Sequence, residues 1–470
     1  MKKAWELDYE NMCNAVPVKN RTDTIQWDSM LEGTMLKEAQ EMLELGKGWW
    51  LKPLPESKAP YSKMLGAISC MENMGYDVSE AEKLVEEAFK AIEENRLIDV
   101  QIINARVFKA LAEAPKVPDH PYWSYTIYEN YEQYRKNVKF AEYPQYQIPD
   151  DETFFAQVHA GWLGEIIGSA LGTAVEGFQS NQLFEVFGEI HGYVKPPETL
   201  NDDITFELAL LKAFEEKGYD IASEDIADKW VGLIPFAYTA EGVALNHLRN
   251  GIYPPQSGFL VNPYREMIGA AMRAAICGAL APGRPELAAD LAWRDARISH
   301  HNNGILAEVF NAVIVSMAHV ETDMRVVLEK AFDAIPKDCE LYSVMEFART
   351  ACQTCKTYRE ALAMCEEHYK RYNWVHCYYN ICSEIIAITY AGNDFEKCMT
   401  VLMMAGQDND CTGGPIGHAY GVMLGEAGIG EKFIAPLKDQ LDSYVRTMES
   451  QKISDLSRET VEAIRKHWKF

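Results

Sequence analysis

Long apolar runs are absent from this 470-residue sequence. No stretch approaches the roughly 18 consecutive apolar residues that indicate a membrane-spanning helix, so no span is predicted. The first residues, MKKAWELDYE, also lack the apolar core of a secretory signal peptide. We therefore expect a cytoplasmic protein without a membrane partner.

Basic residues are scarce relative to acidic ones. The sequence has 45 Lys and Arg residues against 70 Asp and Glu residues, which gives a formal net charge of −25. Because nucleic acids and anionic membranes need a positive footprint on a protein, the charge argues against both classes of partner. Apolar residues make up 48% and charged residues 24%, which is ordinary for a folded globular chain.

The sequence also lacks a second CxxC motif to pair with Cys352 and Cys355, as a zinc ribbon would require. The eleven cysteines are an odd number and are scattered along a large chain. We interpret them as reduced thiols that are mostly buried as small hydrophobic side chains. Zinc or redox use of the CxxC pair is the alternative interpretation.

Apolar residues recur mostly with a helical period. Ser79 and Glu82 form a predicted capping box. The helix after it has a predicted apolar face of Leu84, Val85, Ala88, Phe89 and Ile92. Similar patterns cover about residues 28–46, 61–74 and 100–114. We therefore predict a helical N-terminal accessory region over residues 1–114.

Composition divides the rest of the chain in two. Residues 115–152 are rich in Pro and Tyr, and because proline does not fit inside a helix, we predict a connector that lies on a neighbouring domain. Residues 153–470 return to the helical period and are predicted to form one all-α domain. Gly417, Gly421 and Gly425 recur there at helical spacing, which favours close contact between two helix backbones.

Two acidic clusters precede helical segments of this domain. The first is Asn201-Asp202-Asp203 and the second is Asp408-Asn409-Asp410-Cys411. Helix capping is the simpler explanation for either cluster alone. Together, four carboxylates from two helix starts supply the oxygen ligands that Mg²⁺ or Ca²⁺ needs, provided that the two starts meet.

A third segment, residues 168–176, is rich in glycine but lacks the spacing of a dinucleotide-binding loop. It ends in Glu176, which follows an apolar helical stretch and is a candidate for an interior position. A surface glutamate at a helix end is the alternative.

Three segments together resemble the ADP-ribosylglycohydrolase family: GWLGEIIGSALGTAVEGF (161–178), NDDITFELAL (201–210) and AGQDNDCTGGPIGHAYGVMLG (405–425). The resemblance covers roughly residues 153–430. It implies an all-α fold around a site for two Mg²⁺ ions, with Mn²⁺ or Ca²⁺ as alternatives. It also implies cleavage of an N- or O-glycosidic bond to ribose in a small-molecule or protein-linked ribosyl substrate.

The resemblance also implies roles for individual residues. The expected metal ligands are Asn201, Asp202, Asp203, Asp408, Asp410 and Cys411. The expected catalytic residues are Glu176, Asp203 and Asp408, with Glu176 as general base or acid. His300 and Glu176 are expected to contact the ribose or the leaving group, and Arg273 is expected to be structural. His376 and Asn380 match a recurring helical feature without an assigned role.

Several positions depart from the family pattern. Asn201 and Cys411 replace hydroxyl ligands, and the sulfur of Cys411 is a soft ligand that is poorly matched to Mg²⁺. Ser169 replaces a common aspartate. Residues 267–271, MIGAA, replace the Asn- and Gly-rich loop that surrounds a diphosphate. These departures favour a smaller ribosylated or nucleoside-like substrate over ADP-ribose.

Three alternatives stay open at this point. The chain could hydrolyse a different glycoside, it could bind a ribosyl ligand without cleaving it, or both acidic clusters could simply cap helices. The role of residues 1–152 and the oligomeric state are also open.

Overall fold

The computed structural model describes residues 60–144 and 146–470, together with residues 13, 50 and 51. The helix predicted over residues 28–46 lies outside the described residues. Nearly all of the regular secondary structure in the described residues is helical, which confirms the predicted all-α class.

The N-terminal part and the connector contain short helices. They are α1 (Pro60–Asn73), α2 (Ser79–Glu82), α3 (Val85–Glu93), α4 (Leu97–Ala112), a 3₁₀ turn (Pro121–Ser124) and α5 (Tyr131–Arg135). The helices predicted over residues 61–74 and 100–114 therefore form close to their expected bounds.

The first half of the main part, which the structure describes in full, begins with a long helix and contains nine helices. Its helices are α6 (Asp151–Gly172), α7 (Ser180–Phe187), α8 (Asp202–Lys217), α9 (Ser223–Leu233), α10 (Thr239–Arg249), α11 (Gln256–Phe259), α12 (Ala275–Ala279), α13 (Pro285–Ala296) and α14 (Asn303–Ala318), with 3₁₀ turns at Gly218–Asp220 and Ile268–Arg273.

The rest of the main part contains further helices and one small antiparallel sheet, in which Leu441 pairs with Gln451. Its elements are α15 (Met324–Phe332), α16 (Glu340–Thr354), α17 (Tyr358–Tyr369), α18 (Cys377–Ala391), α19 (Phe395–Ala405), α20 (Asn409–Ile429), α21 (Glu431–Ile434), a 3₁₀ turn (Ala435–Leu437), β1 (Gln440–Asp442), β2 (Ser450–Lys452) and α22 (Ile453–His467).

The predicted capping box at Ser79 is wrong. Asp77 Oδ1 accepts the hydrogen bond from the Ser79 N–H at 3.0 Å, and Ser79 is already the first helical residue. The predicted helix also breaks between α2 and α3. Phe89 is 44% exposed, whereas Ala88 and Ile92 are buried as expected.

The glycine spacing in α20 does mark a close helix–helix contact, and its partner is α6. A Cβ at Gly164 would lie 2.1 Å from the Gly417 carbonyl oxygen, and a Cβ at Gly168 would lie 2.0 Å from that of Gly413. Gly421 packs in the same way against Ala160, at 2.0 Å. The backbones of the two helices therefore touch, and the C-terminal end of α6 meets the N-terminal end of α20.

Gly425 does not belong to this contact. It has φ +66° and ψ 178°, which interrupts the helical geometry near the end of α20. A Cβ built there would meet nothing within 4 Å. The prediction of close backbone contact at Gly425 is therefore wrong, because the residue forms a kink.

The N-terminal helices pack against the main part of the chain. Their buried residues form one apolar cluster with Ala240, Tyr264 and Met267, which come from α10 and the segment before the 3₁₀ turn at Ile268–Arg273. The connector also packs on the main part, since Tyr134 donates to the Ala334 carbonyl at 2.8 Å and stacks on Trp293. The boundary at residue 153 stays a prediction.

Each cysteine of the chain is a free thiol, and most of them are buried, as expected. Within residues 60–144 and 146–470, no helix combines the length and apolar character needed to cross a membrane.

Candidate active site

The first acidic cluster forms the start of α8. Asn201 precedes the helix, and its side-chain oxygen accepts a hydrogen bond from the Asp203 N–H. Thr205 Oγ1 donates to the Asn201 carbonyl oxygen at 2.9 Å and closes the first turn. Asp203 is fully buried and Asp202 is half-buried. The capping function of this cluster is therefore performed by Asn201.

The second acidic cluster follows a tight turn at the start of α20. Gly406 and Gln407 both have left-handed backbones, with φ of +68° and +55°. A Cβ at Gly406 would lie 2.2 Å from the Phe178 carbonyl oxygen. The Gln407 N–H donates to the Phe178 carbonyl and the Gly177 N–H donates to the Gln407 carbonyl, both at 2.7 Å. The turn before Asp408 is therefore bonded to the segment that carries Glu176.

Asn380 fixes the backbone at Asp408. Its Oδ1 accepts a hydrogen bond from the Asp408 N–H at 3.2 Å. Its Nδ2 donates to the carbonyl oxygens of Trp374 and His376, at 3.0 and 2.9 Å. The ring of His376 in turn accepts from the Tyr378 N–H at the start of α18. Both residues of this helical feature therefore help to position the second acidic cluster.

The structure brings the two acidic clusters together. Asp203 Oδ1 lies 3.4 Å from Cys411 Sγ, and Asn201 Nδ2 lies 3.3 Å from Asp410 Oδ2. One ligand atom from each of Asp408, Asp410 and Cys411 lies within 4.8 Å of the others. In the described part of the chain, no other group of three His, Cys, Asp or Glu residues is arranged this closely.

Burial and mutual repulsion raise the pKa values of these carboxyl groups. Burial raises the pKa of Asp203 well above its usual value, and the charges of Asp410 and Asp202 raise it further. Burial also raises the pKa of Asp408, with added repulsion from Asp410 and Glu176. A bound cation would favour the ionised form of such a cluster.

The donor atoms of this cluster fit a hard divalent cation through the carboxylates. Mg²⁺, Mn²⁺ and Ca²⁺ prefer oxygen ligands, which Asp202, Asp203, Asp408 and Asp410 supply. Cys411 fits less well, because burial raises the pKa of its thiol, which donates to Asp203. Asn201 turns its NH₂ group toward Asp410. Two of the six predicted ligands therefore face the carboxylates as hydrogen-bond donors.

A cavity of about 250 Å³ opens onto the cluster. We call it the acidic cavity, since five acidic residues form part of its wall: Glu176, Asp202, Glu241, Asp408 and Asp410. Asp203 lies behind the wall, where Ser169 Oγ donates to its Oδ2 at 2.9 Å. Of the three predicted catalytic residues, Glu176 and Asp408 therefore line the cavity directly.

Glu176 reaches the acidic cavity from a turn at residues 173–177, directly after α6. Its side chain is half-buried. Aromatic side chains cover the other walls: Phe236, Tyr238, Trp374 and Tyr444. Phe236 stacks on Tyr444 with ring centroids 4.4 Å apart. The cavity therefore combines a carboxylate cluster with apolar faces.

The sequence of residues 150–468 matches a family model described as ADP-ribosylglycohydrolase. The match extends over more than half of the chain. The chain belongs to the ADP-ribosylglycohydrolase family. This confirms the resemblance seen in the three sequence motifs.

Other comparisons add little to this ADP-ribosylglycohydrolase assignment. The chain is similar to a solved structure described as an ADP-ribosylglycohydrolase-related protein complex, with 20% sequence identity and a TM-score of 0.48. The alignment covers 67% of this chain and 99% of that chain. No curated protein matches the chain.

In this member of the ADP-ribosylglycohydrolase family, two hydroxyl groups at the end of α6 lie near the aspartates of the acidic clusters. Thr173 Oγ1 lies 3.4 Å from Asp410 Oδ2 and accepts a hydrogen bond from Asn201 Nδ2 at 3.1 Å. Ser169 lies one helical turn earlier and bonds Asp203, as described above. Sequence reasoning missed Thr173, although the four-residue spacing of the two hydroxyls places them on one helix face.

His300 does not line the acidic cavity. It is fully buried, with its Nδ1 2.8 Å from Ser299 Oγ and 3.8 Å from Glu241 Oε1. His300 therefore lies beside the wall residue Glu241 rather than in the wall itself, and its contact with the ribose stays a prediction.

Glu241 was missed by sequence reasoning, since it belongs to no motif. It is 3% exposed and lies on α10. Arg273 Nη1 donates to Glu241 Oε1 at 2.9 Å, and the same guanidinium also bonds Asp295 and Ser299. Arg273 is itself buried, which agrees with its expected structural role.

A larger cavity of about 320 Å³ lies between the N-terminal helices, the connector and residues 259–265. Tyr122 and Trp123 of the connector line it. It contains neither acidic cluster, and the connector does not line the acidic cavity. The candidate active site is therefore the acidic cavity.

Proposed function

We propose that this chain is a metal-dependent glycohydrolase that cleaves an N- or O-glycosidic bond to ribose. The observation that carries the proposal is the meeting of the two acidic clusters beside a cavity that Glu176 also lines. The family assignment supports a glycohydrolase, and the carboxylate cluster supports the metal dependence.

Asp202, Asp203, Asp408 and Asp410 are the residues that would hold the cations, with Mg²⁺ as the preferred ion. The chemistry that bound Mg²⁺ supplies is Lewis-acid polarisation of the oxygen atoms it contacts. Asn380 and the bonded turn at Gly406–Gln407 keep the second pair of carboxylates in place. The site is therefore preorganised by backbone contacts from three helix ends.

Glu176 is the proposed general base. Its carboxylate would take a proton from a water molecule whose oxygen bonds to the anomeric carbon as the glycosidic bond breaks, and the same proton would then pass from Glu176 to the leaving group. The carboxylates of the two acidic clusters would stabilise the positive charge that develops on the sugar ring. The aromatic walls would exclude bulk water from this step.

The size of the acidic cavity supports a small substrate. Its volume of about 250 Å³ is below the roughly 300–1,000 Å³ that is usual for drug-sized ligands. A ribosylated small molecule or a nucleoside-like glycoside therefore fits the proposal better than an ADP-ribosylated protein.

The test is Asp410→Asn. We expect the variant to lose Mg²⁺ and Mn²⁺ binding in calorimetry and to lose at least a hundredfold in turnover of small N-ribosides, because it removes a buried ligand oxygen and its charge. The matched control is Asp323→Asn at the start of α15, where the side chain caps a helix away from the site. A fully active Asp410→Asn variant would refute the proposal.

Binding without cleavage is the second candidate function. It is favoured by Asn201 and Cys411, which face the carboxylates as donors where hydroxyl ligands are expected. Mg²⁺-dependent binding of ribose by the wild-type chain, without release of product from any riboside, would favour this candidate over hydrolysis.

A further inference from the structure

The acidic cavity carries negative charge on its far wall as well as at the proposed metal site. Glu241 lies on α10 and belongs to neither acidic cluster, yet its carboxylate lines the same cavity. Burial raises the pKa of Glu241 to about 7, while Arg273 lowers it and Asp202 raises it, so the carboxylate is ionised above that pH and continues the acidic wall from the start of α8 to α10. This second acidic wall is the feature that the proposed reaction does not use.

Glu241 is held rigidly at this position. Its Oε1 accepts from Arg273 Nη1 at 2.9 Å, and its carboxylate packs against Gly269. A Cβ at Gly269 would lie 2.2 Å from Glu241 Oε1, so only glycine leaves space for the carboxylate. Both Glu241 and Gly269 line the cavity.

Arg273 pairs with Glu241 but is shared with other acidic side chains. The guanidinium bonds both Glu241 and Asp295, and Glu308 Oε2 lies 3.9 Å from its Nη2. One buried cation thus faces three buried carboxylates. Arg273 is 1% exposed and is not part of the cavity wall.

Among the residues that the structure describes, no lysine, arginine or histidine lines the acidic cavity. Lys63 Nζ lies 5.5 Å from the centroid of the Tyr238 ring but is not a wall residue. One backbone donor near Glu241 is also engaged, since the Ile268 N–H donates to the Val375 carbonyl at 2.9 Å. The wall beside Glu241 therefore lacks the cationic donors that an anionic group needs.

We propose that Glu241 is a specificity residue that selects an uncharged or cationic glycoside and rejects phosphorylated ones. Its carboxylate would accept hydrogen bonds from sugar hydroxyls or from an N–H of the leaving group, and it would repel a phosphate at close range. The inference rests on the proposed function and names its substrate class: a riboside without phosphate.

The experiment compares ribose with ribose 5-phosphate as ligands of the full chain loaded with Mn²⁺, by calorimetry at pH 8, where the Glu241 carboxyl group is mostly ionised. We expect the wild-type chain to bind ribose at least tenfold more tightly than ribose 5-phosphate. Glu241→Gln keeps the shape and an oxygen for Arg273 but removes the charge, and we expect it to reduce this ratio to less than threefold.

Glu308→Gln is the matched control, because Glu308 is a buried neighbour of Arg273 that does not line the cavity. It should keep the wild-type ratio, and Mn²⁺ titration of each variant reports whether it is folded with its metal site intact. If Glu241→Gln fails to fold, the wild-type chain still tests the inference. Binding of ribose 5-phosphate as tightly as ribose, or more tightly, would overturn it.

The outcomes separate this inference from the proposed function. A wild-type chain that binds Mn²⁺ and both ligands equally overturns the role of Glu241 and leaves the hydrolase proposal standing. A wild-type chain that binds neither Mn²⁺ nor ribose overturns both. An unchanged ratio in Glu241→Gln assigns the discrimination to other residues and overturns the role of Glu241 as well.

Discussion

Buried carboxyl groups greatly outnumber buried arginine and lysine side chains in the described part of this chain. Arg273 is the single buried residue of the latter kind. The buried acids are Glu165, Asp203, Glu207, Glu241, Glu266, Asp295, Glu308, Glu384, Asp408 and Asp410. Part of the negative charge counted in the sequence is therefore inside the molecule, where burial favours the protonated form.

Glu384 of α18 shows how a buried carboxyl group makes the stability of the fold depend on pH. It is fully buried, its Oε1 accepts from Asn311 Nδ2 at 3.0 Å, and burial raises its pKa to about 8. The folded state therefore binds a proton more tightly than the unfolded state, whose glutamate pKa is about 4.3. As the pH rises from about 4 to 8, this carboxyl group lowers the free energy of unfolding.

We predict that Glu384→Gln removes this pH dependence. The stability of the variant relative to wild type should increase by a few kcal/mol between pH 5 and pH 9, because each unit of pKa displacement corresponds to about 1.4 kcal/mol. Urea unfolding at several pH values measures the difference. Glu462→Gln on the exposed face of α22 is the control. Equal pH profiles for the two variants would contradict the prediction.

At the scale of elements, the candidate site depends on the contact between α6 and α20. The glycines of the two helices let the backbones touch, and a Cβ at Gly172 would lie 2.2 Å from the Asp410 backbone nitrogen. The end of α6, which precedes Glu176, therefore meets the start of α20, which carries Asp410. No side chain larger than hydrogen fits at these glycine positions.

Gly168→Ala should therefore be strongly destabilising. Its Cβ would lie 2.0 Å from a backbone carbonyl oxygen, which cannot move without separating the helices. We expect a loss of about 1–3 kcal/mol or more in the free energy of unfolding, measured by urea unfolding. Gly232→Ala in α9 is the control, since its Cβ meets nothing within 4 Å and alanine favours a helix by up to about 1 kcal/mol. An unchanged free energy of unfolding in Gly168→Ala would contradict the prediction, because it would mean that α6 and α20 can move apart without loss of stability.

The sequence predicted much of this element structure but not its pairing. Acidic residues and Asn201 mark the starts of α8 and α20, and glycine spacing marks a close contact, since both are local signals. Which helix α20 contacts is not a local property. Glu241 is the clearest example, because its place in the cavity depends on packing against Gly269 and Arg273, which lie elsewhere in the chain.

At the scale of the whole molecule, the N-terminal helices support one wall of the acidic cavity. Met267 is 2% exposed and belongs to the apolar cluster of these helices, and Ile268, the next residue, lines the cavity. A Cβ at Gly66 of α1 would lie 3.0 Å from Asn373 Nδ2, next to the wall residue Trp374. Tyr264 also donates to the Lys63 carbonyl at 2.9 Å. The accessory region thus contacts both wall segments from behind.

This arrangement predicts that Met267→Ala weakens ligand binding without removing the metal site. Deleting a buried methionine side chain costs about 2–5 kcal/mol of unfolding free energy, and here the cavity it leaves is directly behind Ile268. We expect ribose binding to fall at least fivefold, while Mn²⁺ affinity, set by α8 and α20, stays within twofold. Met74→Ala is the matched control, because Met74 is buried in the same cluster but lies at the end of α1, away from the wall. Similar ribose affinities for the two variants, measured by calorimetry with Mn²⁺ present, would show that the N-terminal helices stabilise the chain without shaping its cavity.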